Sequence, residues 1–231
     1  MFILMKSKGE FIHLVPKDIT IHNLNVNRIR NIIFPLSKFF KNNKIEVAIA
    51  AMWPLTSAVV IAWLLSGKKC SLYLSDHVHL SSQSKFEINF PIFFLKYILK
   101  FTYPLSNGII CVSNGVKKDL CSLVNLKKKV KVIYNPISRT YKNRKVSLNL
   151  KNKLWGKKVK YRILSIGSLK EQKDHKTLIY AFSKLVNELN CKLIIVGDGY
   201  LKEDLKDLII KLGLKDKVDL VGYYEDTSLW Y

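Results

Sequence analysis

Residues 161–200, YRILSIGSLKEQKDHKTLIYAFSKLVNELNCKLIIVGDGY, decide how the chain is read. Two short apolar runs, 162–166 and 191–196, each give way to a glycine, at Gly167 and Gly197. Between them, residues 176–189 bring their apolar side chains round at helical spacing. Strand, glycine turn, helix and strand together form a βαβ unit, whose two strands pair in parallel. The alternation continues through a predicted helix over 201–212 and a strand over 218–221.

Working back toward the amino terminus, the same alternation returns. A helix is predicted over 24–41, a strand over 45–51 and a helix over 57–65. A strand at 70–74, a polar loop and an aromatic helix from about 90 to 101 follow. Then come a strand at 108–112, the turn Ser113-Asn114-Gly115, a helix at 116–123 and a strand at 131–134. Strands buried on both faces read as near-continuous apolar runs, and these do. From 138 to 160 the pattern lapses into a segment with nine basic residues and no acidic one, a self-repelling linker. The expected fold class is α/β, with two Rossmann-like domains. Residues 1–137 form the first, 138–160 the basic linker and 161–231 the second.

Composition narrows the class of partner. Of 231 residues 48% are hydrophobic and 11% aromatic, the make-up of a globular chain. Against 17 acidic residues stand 39 basic ones, a net charge of +22, which draws polyanions. Yet arginine occurs only at positions 28, 30, 139, 144 and 162. The bidentate fork that reads base edges is scarce, so no specific nucleic-acid partner is expected. Cys70, Cys111, Cys121 and Cys191 show no CxxC pair or metal-ligand spacing, which fits buried, reduced thiols in a cytoplasmic protein. Residues 47–65, VAIAAMWPLTSAVVIAWLL, are uncharged and about as long as a bilayer span. The flanking alternation favours a strand, a loop at Met52–Pro54 and a buried helix instead.

In open parallel sheets ligands bind beyond the carboxyl ends of strands, at helix N-termini. After the strand at 162–166 come Gly167, Ser168 and, five residues further, Lys173. After the strand at 191–196 come Gly197, Asp198 and Gly199. Glycine there lets backbone approach a phosphate, Ser168 offers a hydroxyl and Lys173 a point charge. A βα turn needs glycine for its own geometry too, and Lys173 has the alternative of being one more solvated lysine.

Taken together, ILSIGSLKEQKDHKTLIYAFSKL and KLIIVGDGYLKEDLKDLIIKLGLKDKVDLVGYYED resemble the nucleotide-binding domain of family 4 (group 1) retaining glycosyltransferases. A G-[RS]-x-x-x-Q-K stretch, a V-G-x-G turn and a V-x-x-x-G strand end recur there in this order. SDHVHLS, GIICVSNGVKKDL and VKVIYNPI resemble the family's acceptor-side domain and interdomain crossover. The resemblance covers residues 45–231 and implies the GT-B fold. It implies that Lys173 contacts the donor diphosphate and that Gly167, Gly197 and Gly199 pack near the nucleotide, with Gly222 and Tyr223 beside the base. Ser168 stands where many members carry an arginine, leaving one cation fewer for the phosphate. His77 matches a histidine near the reacting sugar; its alternative is a hydrogen bond within its loop. The chemistry implied is glycosyl transfer from a nucleotide sugar to a polysaccharide or lipid-linked glycan, with no cofactor and no metal. Charge on the leaving phosphate is then met by lysine, helix N-termini and backbone amides.

The family pattern continues with an E-x7-E stretch, and the sequence ends at Tyr231 before it. An incomplete second domain is therefore expected, with weak or no activity in this chain. An inactive remnant that keeps part of the nucleotide pocket is the competing expectation. Residues 90–101, FPIFFLKYILKF, carry Lys96 and Lys100 among aromatics. They read either as an interfacial helix for an anionic membrane surface or as a core helix with snorkelling lysines.

Overall fold

A strand at the centre of a parallel sheet has neighbours on both edges and layers on both faces, and Cys191–Val196 shows the consequence. Leu193, Ile194 and Ile195 are wholly buried, and no polar alternation interrupts them. The structure is a computed structural model and describes residues 1–9, 12–86, 88–126, 129–136, 152, 154–156, 158–224 and 227–230. Most of the basic segment expected as a linker over 138–160 lies outside these residues. The chain folds as two units, Met1–Ile137 and Ser138–Tyr231.

In the first unit β3 (Val47–Ala51), β4 (Ser71–Asp76), β5 (Gly108–Cys111) and β6 (Val130–Val132) form a parallel sheet in that order. Asn107 fixes the approach of β4 to β5: its side-chain oxygen accepts from the Leu72 amide at 2.8 Å. The crossovers are α2 (Leu55–Leu65), α3 (Leu80–Phe86) with α4 (Ile92–Thr102), and α5 (Asn114–Leu123). β3 departs from the fully buried pattern because it is a sheet edge, and Val47 and Ile49 are exposed.

The 47–65 run divides into β3 and α2, and among the described residues no helix is long and apolar enough to cross a membrane. α2 is apolar all round because nearly all of its sides are packed. Its polar atoms find partners inside: Thr56 with the Tyr103 hydroxyl at 2.9 Å and Ser57 with Thr102 at 3.1 Å. The Trp63 indole donates to the Cys70 carbonyl at 2.8 Å.

Four elements differ from the sequence reading. A short parallel pair, β1 (Phe2–Leu4) with β2 (Ile21–Asn23), lies in the amino-terminal stretch where no strand was expected. The helix expected from residue 24 begins as a 3-10 turn at Ile29 and becomes α1 at Ile33–Asn42. Residues 24 and 26 instead continue the β1 bonding, their amides donating to Leu4 and Met5, with Asn25 at φ 51° between them. The expected polar loop after β4 contains α3, tied down where the Ser81 amide and hydroxyl donate to Asp119.

The second unit holds β7 (Tyr161–Ile166), β8 (Cys191–Val196) and β9 (Val218–Gly222), parallel and in that order. α6 (His175–Leu185) and α7 (Lys202–Lys211) cross between them. One core joins Leu169, Ile179, Phe182, Leu193, Leu205 and Ile209, while Trp155 and Trp230 cover Ile194 and Val196. All four cysteines are free, and Cys70, Cys111 and Cys191 are buried.

Leu74, wholly buried in β4, measures what this packing is worth. Leu74→Ala is expected to lower unfolding free energy by about 2–5 kcal/mol. Ile49→Ala, on the exposed side of β3, is expected to change it by less than about 0.5 kcal/mol. Urea denaturation of the two variants checks the contrast.

Candidate functional site

In the second unit the ends of three strands meet backbone to backbone. The Gly167 amide donates to the Val196 carbonyl at 2.9 Å, and the Gly197 amide donates to the Gly222 carbonyl at 2.8 Å. Leu169 donates to the Asp198 carbonyl at 3.0 Å, and Leu201 donates back to the Leu169 carbonyl at 3.2 Å. Gly197 sits at φ +147°, and a Cβ there would collide with the Gly167 carbonyl oxygen. A Cβ at Gly199 would collide with the Leu169 carbonyl. Both positions need glycine because the backbone of the loop after β7 occupies the side-chain space.

Lys173 belongs to this cluster. It ends a 3-10 turn (Glu171–Lys173), and its stem crosses Gly167: a Cβ on Gly167 would stand 3.2 Å from Lys173 Cε and 3.3 Å from Cδ. Ser168 is exposed between the buried Leu169 and the half-buried Gly167. Tyr223, also exposed, follows Gly222, whose carbonyl caps the Gly197 amide. The structure thus brings Gly167, Ser168, Lys173, Gly197, Gly199 and Tyr223 to the carboxyl end of one sheet. Asp198 is held within its turn, accepting from the Gly199 amide and from Lys202 Nζ, both at 2.8 Å. The Lys202 bond holds its carboxyl below the ordinary value, as befits a turn residue.

The start of α6 is electrostatically unusual. Asp174, at φ 47°, caps it by accepting from the Thr177 amide at 3.3 Å. After this acidic cap the first turn carries no further acid; His175 and Lys176 stand there, and Lys173 precedes the cap. α7 places Glu203 and Asp204 in the same position, as the positive end of a helix dipole favours. His175 is 3% exposed with neither ring nitrogen partnered, and burial pushes its pKa down.

His77 lies in the first unit, just past β4, with Nε2 3.0 Å from Ser75 Oγ. His79 packs on the start of α5, so that a Cβ at Gly115 would stand 3.0 Å from its Nε2. Ser113 caps that helix, accepting from the Val116 amide at 3.1 Å. The end of β4 holds a group the sequence reading missed. Asp76, the last residue of β4, is wholly buried; Oδ1 accepts from the Tyr103 hydroxyl at 3.1 Å and Oδ2 has no partner. Burial pushes its pKa up to about 6, opposed by the Tyr103 bond and assisted by Asp119. An acidic residue closing an apolar strand was the available signal. Among the described residues no group of His, Cys, Asp and Glu is arranged to hold a metal ion.

A family model described as Glycosyltransferase Family 4 matches residues 6–141, more than half of the chain, and one described as Glycosyl transferases group 1 matches 148–231. N-acetylgalactosamine-N,N'-diacetylbacillosaminyl-diphospho-undecaprenol 4-alpha-N-acetylgalactosaminyltransferase of Campylobacter jejuni is 34% identical over 138 residues, 58% of this chain and 35% of that protein. The amylovoran biosynthesis glycosyltransferase AmsD of Erwinia amylovora is 27% identical over 200 residues, 86% of this chain and 53% of its own. The chain thus spans about a third to a half of these curated relatives. Two solved structures share the fold at a TM-score of 0.71 over 99% of this chain and 62% of theirs. They are a glycosyltransferase from Rickettsia africae at 21% identity and Anabaena Alr3699/HepE in complex with UDP-glucose at 18%.

The buried carboxyl gives a signed pH dependence. Its folded pKa lies above the ordinary 3.8, so its contribution is complete below about pH 4. It is lost as pH rises through about 6, by roughly 2–3 kcal/mol. Asp76→Asn is expected to remove that slope. The difference in unfolding free energy between the two proteins, measured by denaturant titration from acid to neutral pH, checks it.

Proposed function

The chain belongs to glycosyltransferase family 4, and on that premise we propose that it moves a sugar from a nucleoside-diphosphate donor to a polysaccharide or lipid-linked glycan. The carrying observation is the position of Lys173. Its stem lies on Gly167, whose carbonyl fills the side-chain space at Gly197, just ahead of the Asp174-capped start of α6. Backbone amides at a helix start and a lysine beside them favour an anion, and a diphosphate supplies one.

In the proposed transfer the bond from the sugar's anomeric carbon to the β-phosphate oxygen breaks. A bond to an acceptor oxygen forms, and that oxygen passes its proton to the departing diphosphate or to water. Negative charge builds on the departing diphosphate, where Lys173 and the α6 dipole stabilise it. Ser168 supplies a hydroxyl to the same phosphates. Gly167, Gly197 and Gly199 let the backbone come close, and Tyr223 flanks the base. His77 is assigned to the side of the reacting sugar. The donor is itself a substrate, and the proposal calls on no cofactor or metal. The Campylobacter relative is named for a diphospho-undecaprenol acceptor and the Erwinia relative for amylovoran biosynthesis. These names support a glycan acceptor, lipid-linked in the first case; a reaction in the cytoplasm, at the inner face of the cell membrane, is part of the same proposal.

Ser168 favours a second reading, a remnant that binds nucleotide without turning it over, because it leaves the phosphates one cation fewer than an arginine would. One experiment separates the two. UDP, GDP and UDP-glucose are screened by thermal shift, since a ligand that binds only the folded state raises its melting temperature. A nucleoside diphosphate is expected to stabilise the chain, and Lys173→Ala to weaken its binding about 10- to 100-fold. Gly197→Ala, strained by about 1–3 kcal/mol at its φ, is expected to abolish binding. Equal shifts in wild type and Lys173→Ala would overturn the donor assignment. Binding without release of UDP from UDP-glucose, in the presence of glycan acceptors, selects the remnant.

A further inference from the structure

α4 has two faces of opposite character. Leu95, Leu99 and Thr102 are buried, and the two leucines join the core of the first unit. On the other side Phe93, Tyr97 and Phe101, each four residues apart, are 66%, 55% and 58% exposed, and Phe94 beside them is 57% exposed. Their rings form a continuous row, with centroids 5.9 Å apart for Phe93 and Tyr97 and 5.1 Å for Tyr97 and Phe101. Lys96 and Lys100 are exposed alongside. Phe93, Lys96, Tyr97 and Lys100 form one wall of an open groove of about 500 Å³ that Pro104 and Val124 help to close. Residues 90–105 include no aspartate or glutamate.

A scattered exposed apolar residue needs no explanation, but a row of stacked rings on one helix face does. An apolar protein surface and the interface of a lipid bilayer both fit such a row. The lysines decide between them. They border the rings one helical turn apart, so their stems lie along the aromatic surface while their ammonium groups reach outward. That arrangement is complementary to a plane that is apolar inside and anionic at its surface, and the chain's net charge of +22 has the same sign. Aromatic residues and lysines side by side on the exposed face of one helix are the pattern of an interfacial helix lying in the membrane plane.

We infer that this face of α4 docks on an anionic lipid bilayer, with Phe93, Phe94, Tyr97 and Phe101 at the level of the headgroups and Lys96 and Lys100 on lipid phosphates. The docking rests on the membrane-side reading above for its purpose, but not for its test. Lys173→Ala, which disables the donor site, is expected to leave it unchanged, so the two readings fail separately.

The test is co-sedimentation of the full chain with vesicles of phosphatidylcholine, with and without phosphatidylglycerol. Binding is expected only with phosphatidylglycerol. The triple variant Phe93→Ser, Tyr97→Ser, Phe101→Ser is expected to lower partitioning at least tenfold, as is Lys96→Glu, Lys100→Glu. Phe34→Ser removes another exposed ring, 78% accessible on α1, and is expected to bind as wild type does. Circular dichroism confirms that each variant is folded. Wild-type partitioning by the triple variant would show adsorption through lysines elsewhere and overturn the inference. So would equal binding to phosphatidylcholine alone, or self-association through α4 with no vesicle binding.

Discussion

The carbonyl of Gly167 occupies the space in which a side chain at Gly197 would begin, and the candidate donor site depends on that contact. It brings the ends of β7 and β8 to backbone distance, and the Gly197–Gly222 hydrogen bond draws in the end of β9. Glycine loses more conformational freedom on folding than any other residue, so such a junction needs support from elsewhere. The support comes from below: Leu169 and Leu201 are buried in the core of the second unit and exchange backbone contact. Ser168 is therefore held facing outward between fixed neighbours. The stem of Lys173 rests on a surface made of peptide groups, which do not change rotamer.

Charge follows the same geometry. α6 and α7 both begin just beyond a strand end, yet only α7 carries acids in its first turn. At α6 the cap is Asp174, bent into the left-handed region, and the residues on either side are Lys173 and His175. Lys173 and Lys176, on either side of that cap, are cations near the positive end of a dipole, which repels them, and the Asp174 carboxylate offsets part of that repulsion. The buried, unpartnered ring of His175 avoids adding to that repulsion by staying neutral, the direction in which burial moves it.

Much of this was legible in the sequence, for identifiable reasons. β8 is predicted with its observed bounds because burial on both faces leaves an unbroken apolar run. The glycines and Lys173 are legible because each chemical demand falls on one residue type at a fixed offset from a strand. β1 and β2 were not legible, being three residues each and too short to show a period. α3, with its sequence LSSQSKF, has no helical apolar repeat and depends on Leu80 burial and on Asp119, far along the chain. Asp76 was missed for the same reason. Nothing local announces that Tyr103, 27 residues on, will cover that carboxyl.

Residues 47–65 and 90–101 show where hydropathy alone stops being informative. Both hold apolar helices that a membrane would accept, and the difference lies in where their polar atoms are satisfied. In α2 the hydroxyls and the indole point inward, to Tyr103, Thr102 and the Cys70 carbonyl, which commits the helix to the protein interior. In α4 the one internal hydroxyl, Thr102, sits on the buried side with Leu95 and Leu99. The lysines lie on the other side, beside rings that the described residues leave more than half exposed. A helix that keeps its cations at the border of an uncovered aromatic row is built for a surface that is apolar in one layer and charged in the next.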